Sequence, residues 1–110
     1  MNPISNASYT GVDQRQSPRT DVYARIPLVM EDGRTATVTV VNISADGLLM
    51  RHDAKLVEDS MVTVSLPVIG KVKGRAIWSL GGRSGVNFLQ SIELRDYQPL
   101  LRALGVAIAA

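Results

Sequence analysis

Asn42, Ser44 and Gly47 fall within Val-Asn-Ile-Ser-Ala-Asp-Gly-Leu-Leu-Met, residues 41–50, where polar side chains interrupt an otherwise apolar strand pattern. Residues two apart on a strand emerge on the same face, so Asn42 and Ser44 would present an amide and a hydroxyl side by side. Gly47, lacking a Cβ, would let a ligand or another backbone come close. The chemistry of such a face is hydrogen bonding rather than bond making. A tight turn accounts for the same residues: Ser44 and Asp46 close a hairpin, Gly47 takes its left-handed position, and Asn42 bonds its own backbone. Both readings are open at this point.

The charged residues narrow the ligand class. Twelve Lys plus Arg against ten Asp plus Glu leave a net charge of only +2, which provides no broad basic face for duplex nucleic acid. Nine of the twelve are Arg, whose planar fork grips phosphates and guanine edges in two places where Lys offers a point charge. Two of them, Arg15 and Arg19, lie at the end of a polar N-terminal stretch. The chain has no Cys and a single His, His52, so it holds no thiolate chemistry, and His52 reads as a solvent-side residue at a strand end rather than a ligand to a metal. Gly81-Gly82-Arg83-Ser84-Gly85 lacks the Lys-Ser/Thr ending and following helix of a phosphate loop and reads as a hairpin turn. Arg83, Lys71 and Lys73 read as solvated charges. The chain reads as a non-catalytic protein with no metal and no cofactor.

The elements that must position these residues follow from periodicity. Residues 1–19 lack an apolar period and read as a flexible arm; residues 20–110 read as one domain. From Thr20 to Leu89, short runs rich in Val, Thr and Ile are separated by turn signals, which is an all-β pattern. Six strands are predicted over Val22–Met30, Thr35–Ile43, Gly47–Arg51, Met61–Leu66, Lys71–Leu80 and Ser84–Leu89. Gly33, Gly47, Gly70 and Gly81-Gly82 mark the turns. Trp78 and Phe88 read as core. Six antiparallel strands with short links close most economically into a small barrel. Beyond Leu89 the period changes to that of a helix, with Asp96 as cap, Pro99 in the first turn, and an apolar stripe of Leu100, Leu101, Leu104 and Ile108. The N-terminus has no basic segment followed by an apolar one, and no apolar run approaches the ~20 residues that span a bilayer. The expectation is a soluble, cytoplasmic protein.

Asn42-Ile43-Ser44-Ala45-Asp46-Gly47 resembles the (Asp/Asn)-x-Ser-x-x-Gly motif of PilZ domains, and Arg15-Gln16-Ser17-Pro18-Arg19 resembles the family's Arg-x-x-x-Arg in the correct order before the first strand. Gly74-Arg75-Ala76-Ile77-Trp78 and Gly85-Val86-Asn87-Phe88 are similar to two of its downstream strands. The likeness covers roughly residues 13–104. In a chain with nine arginines the Arg-x-x-x-Arg pattern is weak alone; the Asn42 motif is more specific, and their order and spacing strengthen both.

The resemblance implies an all-β, six-stranded antiparallel barrel with a C-terminal helix that binds the bacterial second messenger cyclic di-GMP and regulates an effector protein in trans, in motility, exopolysaccharide synthesis or pili. It implies that Arg15 and Arg19 clamp phosphate and the guanine edge, that Asn42 and Ser44 bond the ligand from the barrel wall, and that Gly47 allows close approach. Gln14, just before Arg15, is an additional candidate contact. Asn42 stands where many members carry Asp, and an amide cannot accept two guanine N–H groups as a carboxylate can. Expected partners are cyclic di-GMP and an effector, with no DNA or RNA and no membrane insertion, in a monomer or weak homodimer. The alternative is a PilZ-like adaptor that binds protein but no nucleotide.

Overall fold

In the computed structural model, residues 18–105 are described. The candidates Gln14 and Arg15, and Ile108 of the helix stripe, lie outside them. Six strands, β1 (Thr20–Met30), β2 (Thr35–Ser44), β3 (Gly47–Arg51), β4 (Met61–Leu66), β5 (Gly70–Leu80) and β6 (Arg83–Phe88), precede one helix, α1 (Leu94–Ala103). Every strand pair is antiparallel, and the order β1-β2-β3-β6-β5-β4 closes on itself. The predicted six-stranded barrel with a single C-terminal helix is the observed fold, and its strand boundaries fall within two residues of expectation.

Strand alternation makes the core. Ile26, Leu28, Val38, Val40, Met50, Val62, Val64, Ala76 and Val86 point inward and are buried, while their neighbours along each strand face outward. β-branched residues dominate this interior because they suit a pleated, half-buried surface. Closure rests on a short seam, Leu28–Met30 of β1 against Val62–Val64 of β4. The link from Arg51 to Ser60 carries the chain from β3 across to β4, which is not its neighbour in the barrel.

The turn glycines behave as expected at Gly33, Gly70, Gly81 and Gly82, all with positive φ, but Gly47 is not left-handed. In the β1–β2 turn, Asp32 accepts the Arg34 backbone N–H at 3.0 Å and its guanidinium at 2.7 Å. These bonds, the backbone one foremost, hold the Asp32 carboxyl below its ordinary value. A depressed carboxylate favours the folded turn above its unfolded-state pKa and loses that preference as the pH falls through its lowered folded-state value.

The helix begins earlier than the sequence implies. Its cap residue is Glu93, which makes no side-chain capping bond, so Asp96 lies inside the first turn and Pro99 falls in the second. Tertiary bonds set this start: the Ile92 N–H bonds the Ala45 carbonyl at 2.8 Å, and the Tyr97 hydroxyl donates to the Ile43 carbonyl at 2.9 Å. Leu100, Leu101 and Leu104 join the barrel core. Leu100 has no exposed surface, so Leu100→Ala is expected to lower unfolding free energy by about 2–5 kcal/mol in a denaturant titration; a change below ~1 kcal/mol would mean that the helix is not part of the cooperative core.

Candidate functional site

The β2–β3 hairpin positions the Asn42 motif, and its polar residues divide into two groups. Ser44 is buried, and its Oγ accepts the Asp46 N–H at 3.1 Å and lies 3.5 Å from the Gly47 carbonyl that it faces as donor. Gly47 sits where a Cβ would come within 2.2 Å of the Val86 carbonyl oxygen, so its missing side chain lets β3 lie against β6. The turn is further tied down from outside: the Ser91 hydroxyl donates to Asp46 Oδ1 at 2.5 Å, and the Phe88 N–H bonds the Asp46 carbonyl at 2.8 Å. Ser44 and Gly47 thus have local structural work in this conformation.

Asn42 is different. Its Oδ1 accepts a hydrogen bond from Arg19 Nη1 at 2.8 Å, across 23 residues of sequence and on exposed surface. The geometry follows from the sheet. Asp21 of β1 pairs with Asn42, Asn42 with Leu49, Leu49 with Gly85 and Gly85 with Trp78, giving one continuous row across β1, β2, β3, β6 and β5. Arg19, immediately before β1, is therefore delivered to the end of this row. The second arginine of the Arg-x-x-x-Arg pattern and the first residue of the Asn42 motif meet in the fold.

A shallow cavity of about 150 Å³ opens along this row, lined by Arg19, Asn42, Leu49, Trp78, Gly85 and Asn87 among others. It is below the ~300–1,000 Å³ of pockets that enclose a small molecule.

Trp78 corrects the sequence reading. It was expected in the core with Phe88; Phe88 is buried, but Trp78 is 38% exposed. The cause is an irregularity in the β5–β6 register between Ala76 and Trp78. Ala76 points inward, and strict alternation would send Trp78 inward too; the extra residue returns it to the outer wall. There the indole covers Gly85, where a Cβ would stand 2.3 Å from Nε1. Leu49, Trp78, Gly85 and Asn87 are site-wall residues that sequence reasoning did not assign. The available signal was the glycine of Gly85-Val86-Asn87-Phe88, which marks a close approach within a strand.

His52 also departs from expectation. It is half-buried rather than at the solvent side: Nδ1 lies 3.0 Å from the Ala54 carbonyl and Nε2 lies 2.7 Å from Ser84 Oγ, which in turn bonds Ser79 Oγ at 2.8 Å. Ser84 has no exposed surface, so this Ser–His contact joins the β3–β4 link to β5 and β6 and offers no accessible nucleophile. Among the described residues no group of His, Asp and Glu is arranged to hold a metal ion, and no helix is long and apolar enough to cross a membrane.

The fold and site define a small closed β-barrel with a polar, partly aromatic row on its outer wall, fed by an arginine from the N-terminal side. The family model of the PilZ domain matches residues 13–105, and the chain belongs to this family, whose members are generally non-catalytic receptors for cyclic di-GMP. No curated protein matches the chain.

The two glycines of the wall are expected to respond differently to substitution. Gly47→Ala drives a methyl into backbone and is expected to cost about 1–3 kcal/mol of stability. Gly85→Ala meets no backbone: its methyl would stand 2.3–3.0 Å from three atoms of the five-membered ring of Trp78, a side chain that is 38% exposed and must swing outward. The barrel is expected to keep its melting temperature within a few degrees while the fluorescence of Trp78, the sole tryptophan, moves to the red as the indole is pushed into water. An unshifted emission spectrum would remove the Trp78–Gly85 contact from the site.

Proposed function

We propose that this protein is a non-catalytic receptor for cyclic di-GMP, with Arg15, Arg19, Asn42, Ser44 and Gly47 as its binding residues and Gln14 as an additional contact. The observation that carries the reading is the Arg19–Asn42 hydrogen bond, which joins the two motif halves at the outer wall beside Trp78. Arg19 presents a guanidinium fork suited to phosphate or to the O6/N7 edge of guanine, and Asn42 presents an acceptor and an NH₂. A nucleotide that engages both exchanges their mutual bond for its own. The exposed indole of Trp78 supplies an aromatic edge on the same wall against which a base can rest. Binding replaces the Arg19–Asn42 bond with ligand contacts and changes the surface offered to an effector in trans.

A second reading has its own observation. Ser44 and Gly47, two of the five candidates, are engaged in the hairpin and in β3–β6 packing. A family member that keeps these residues for folding alone would be an adaptor that binds protein and not nucleotide.

Isothermal titration with cyclic di-GMP, with GTP and cyclic di-AMP as controls, separates the two. Selective binding is expected, with Arg19→Ala weakening it by about 1.5–3 kcal/mol, the worth of a hydrogen bond to a charged group, while the barrel stays folded because Arg19 is exposed. Absence of binding by the folded wild type would leave the adaptor. Asn42→Asp is expected to tighten binding several-fold, since a carboxylate accepts two N–H donors at once; unchanged affinity would take the position 42 side chain out of contact with the ligand.

A further inference from the structure

Beside the candidate nucleotide row runs a second one. Arg25 of β1 pairs with Thr39 of β2, Thr39 with Arg51 of β3, Arg51 with Arg83 of β6, and Arg83 with Leu80 of β5. The residues that flank this row along the strands, Ile26, Val38, Val40, Met50 and Ser84, point inward and are buried, so the row faces outward. Three guanidinium groups are thereby gathered on one exposed surface. None has an ion pair or hydrogen-bond partner among the described residues, whereas Arg34, Arg75 and Arg95 each pair with a carboxylate. Arg51 and Arg83 stand directly opposite each other, an arrangement that destabilises a sheet. An uncompensated repulsion held at this place points to an external anion.

The surroundings define the anion's class. The row borders an open cleft of about 480 Å³ whose lining adds Tyr23, Thr37, His52 and the single carboxylate of Asp53. Tyr23 is 74% exposed and Leu80, at the far end of the row, 79%. Arginine and tyrosine together, without Lys or Glu, are the composition of protein interfaces. Apolar groups flanking a charged centre suit a polypeptide better than a bare phosphate. With strands ~4.8 Å apart, Arg25 to Arg83 spans roughly 14 Å, the reach of about four or five extended residues.

We propose that the row Arg25–Thr39–Arg51–Arg83, flanked by Tyr23 and Leu80, is the docking surface for an extended acidic segment of a partner protein. Carboxylates of the segment take the arginine forks, and apolar side chains among them rest on Tyr23 and Leu80. This stands apart from nucleotide binding, since it uses none of Arg15, Arg19, Asn42 or Ser44.

The test measures anisotropy of a fluorescein-labelled decaglutamate peptide at low salt with the wild type and two triple variants, each losing three positive charges. One is Arg25→Gln/Arg51→Gln/Arg83→Gln; the other is Arg34→Gln/Arg75→Gln/Arg95→Gln. Saturable binding is expected, weakened about tenfold or more by the first triple and less than about threefold by the second, because the first removes the charges that meet the peptide's carboxylates, whereas each arginine of the second already pairs with an exposed carboxylate of its own chain. Equal losses in the two triples, or no saturable binding by the wild type, would overturn the proposal. So would tighter binding of inorganic pyrophosphate or a ten-residue oligothymidylate that the first triple abolishes, since the row would then be a phosphate site. If the first triple does not fold, Arg51→Gln alone, which removes the opposed like charge, is read by the same anisotropy change against Arg34→Gln.

Discussion

The close approach of β6 to the strands on either side governs the architecture. At Gly47 in β3 and Gly74 in β5, a Cβ would collide with Val86 or Asn87, so both neighbours give up side chains to let the β6 backbone through. Val86 itself is buried in the barrel core. Because β6 is held on both edges, Gly85 must face outward beneath Trp78, and Leu49 and Asn42 must continue the same row on β3 and β2. The outer wall is thus a consequence of how tightly the inner one closes.

Part of the motif is accordingly engaged in the fold itself. Ser44 closes the hairpin whose tip the segment after β6 binds through Asp46 and Ala45, and that segment leads directly into α1. Tyr97 then returns from α1 to the carbonyl of Ile43, beside Ser44. The hairpin, the chain after β6 and the helix therefore form one hydrogen-bonded corner of the barrel. Asn42 lies just outside this corner, and among the described residues its side chain bonds the exposed Arg19.

Two outward rows share strands β1, β2, β3 and β6, one amide and aromatic, the other arginine-rich. They are two residues apart along β3 and β6, a step of about 6.6–6.8 Å. Such adjacency places the proposed nucleotide row and the proposed docking row on a single sheet.

The alternation of Val, Ile and Thr with polar residues, and the turn glycines at 33, 70, 81 and 82, were enough to read six strands, their antiparallel pairing and a barrel, because strands and hairpins depend on local periodicity and on turns whose φ only glycine readily adopts; the order that sets β3 beside β6 and β4 beside β1 was not legible. The Asn42 motif and the helix stripe were legible for the same local reason. What depended on pairing between distant strands was not. The irregularity at Ala76–Trp78 that turns the indole outward, the backbone clearance that requires Gly47, the helix start set by the Ala45 carbonyl, the burial of Ser84 against His52 and the alignment of Arg25, Arg51 and Arg83 all arise from register. A residue's neighbour across a sheet is fixed by the closure of the whole barrel, and a one-residue shift sends its side chain to the opposite face.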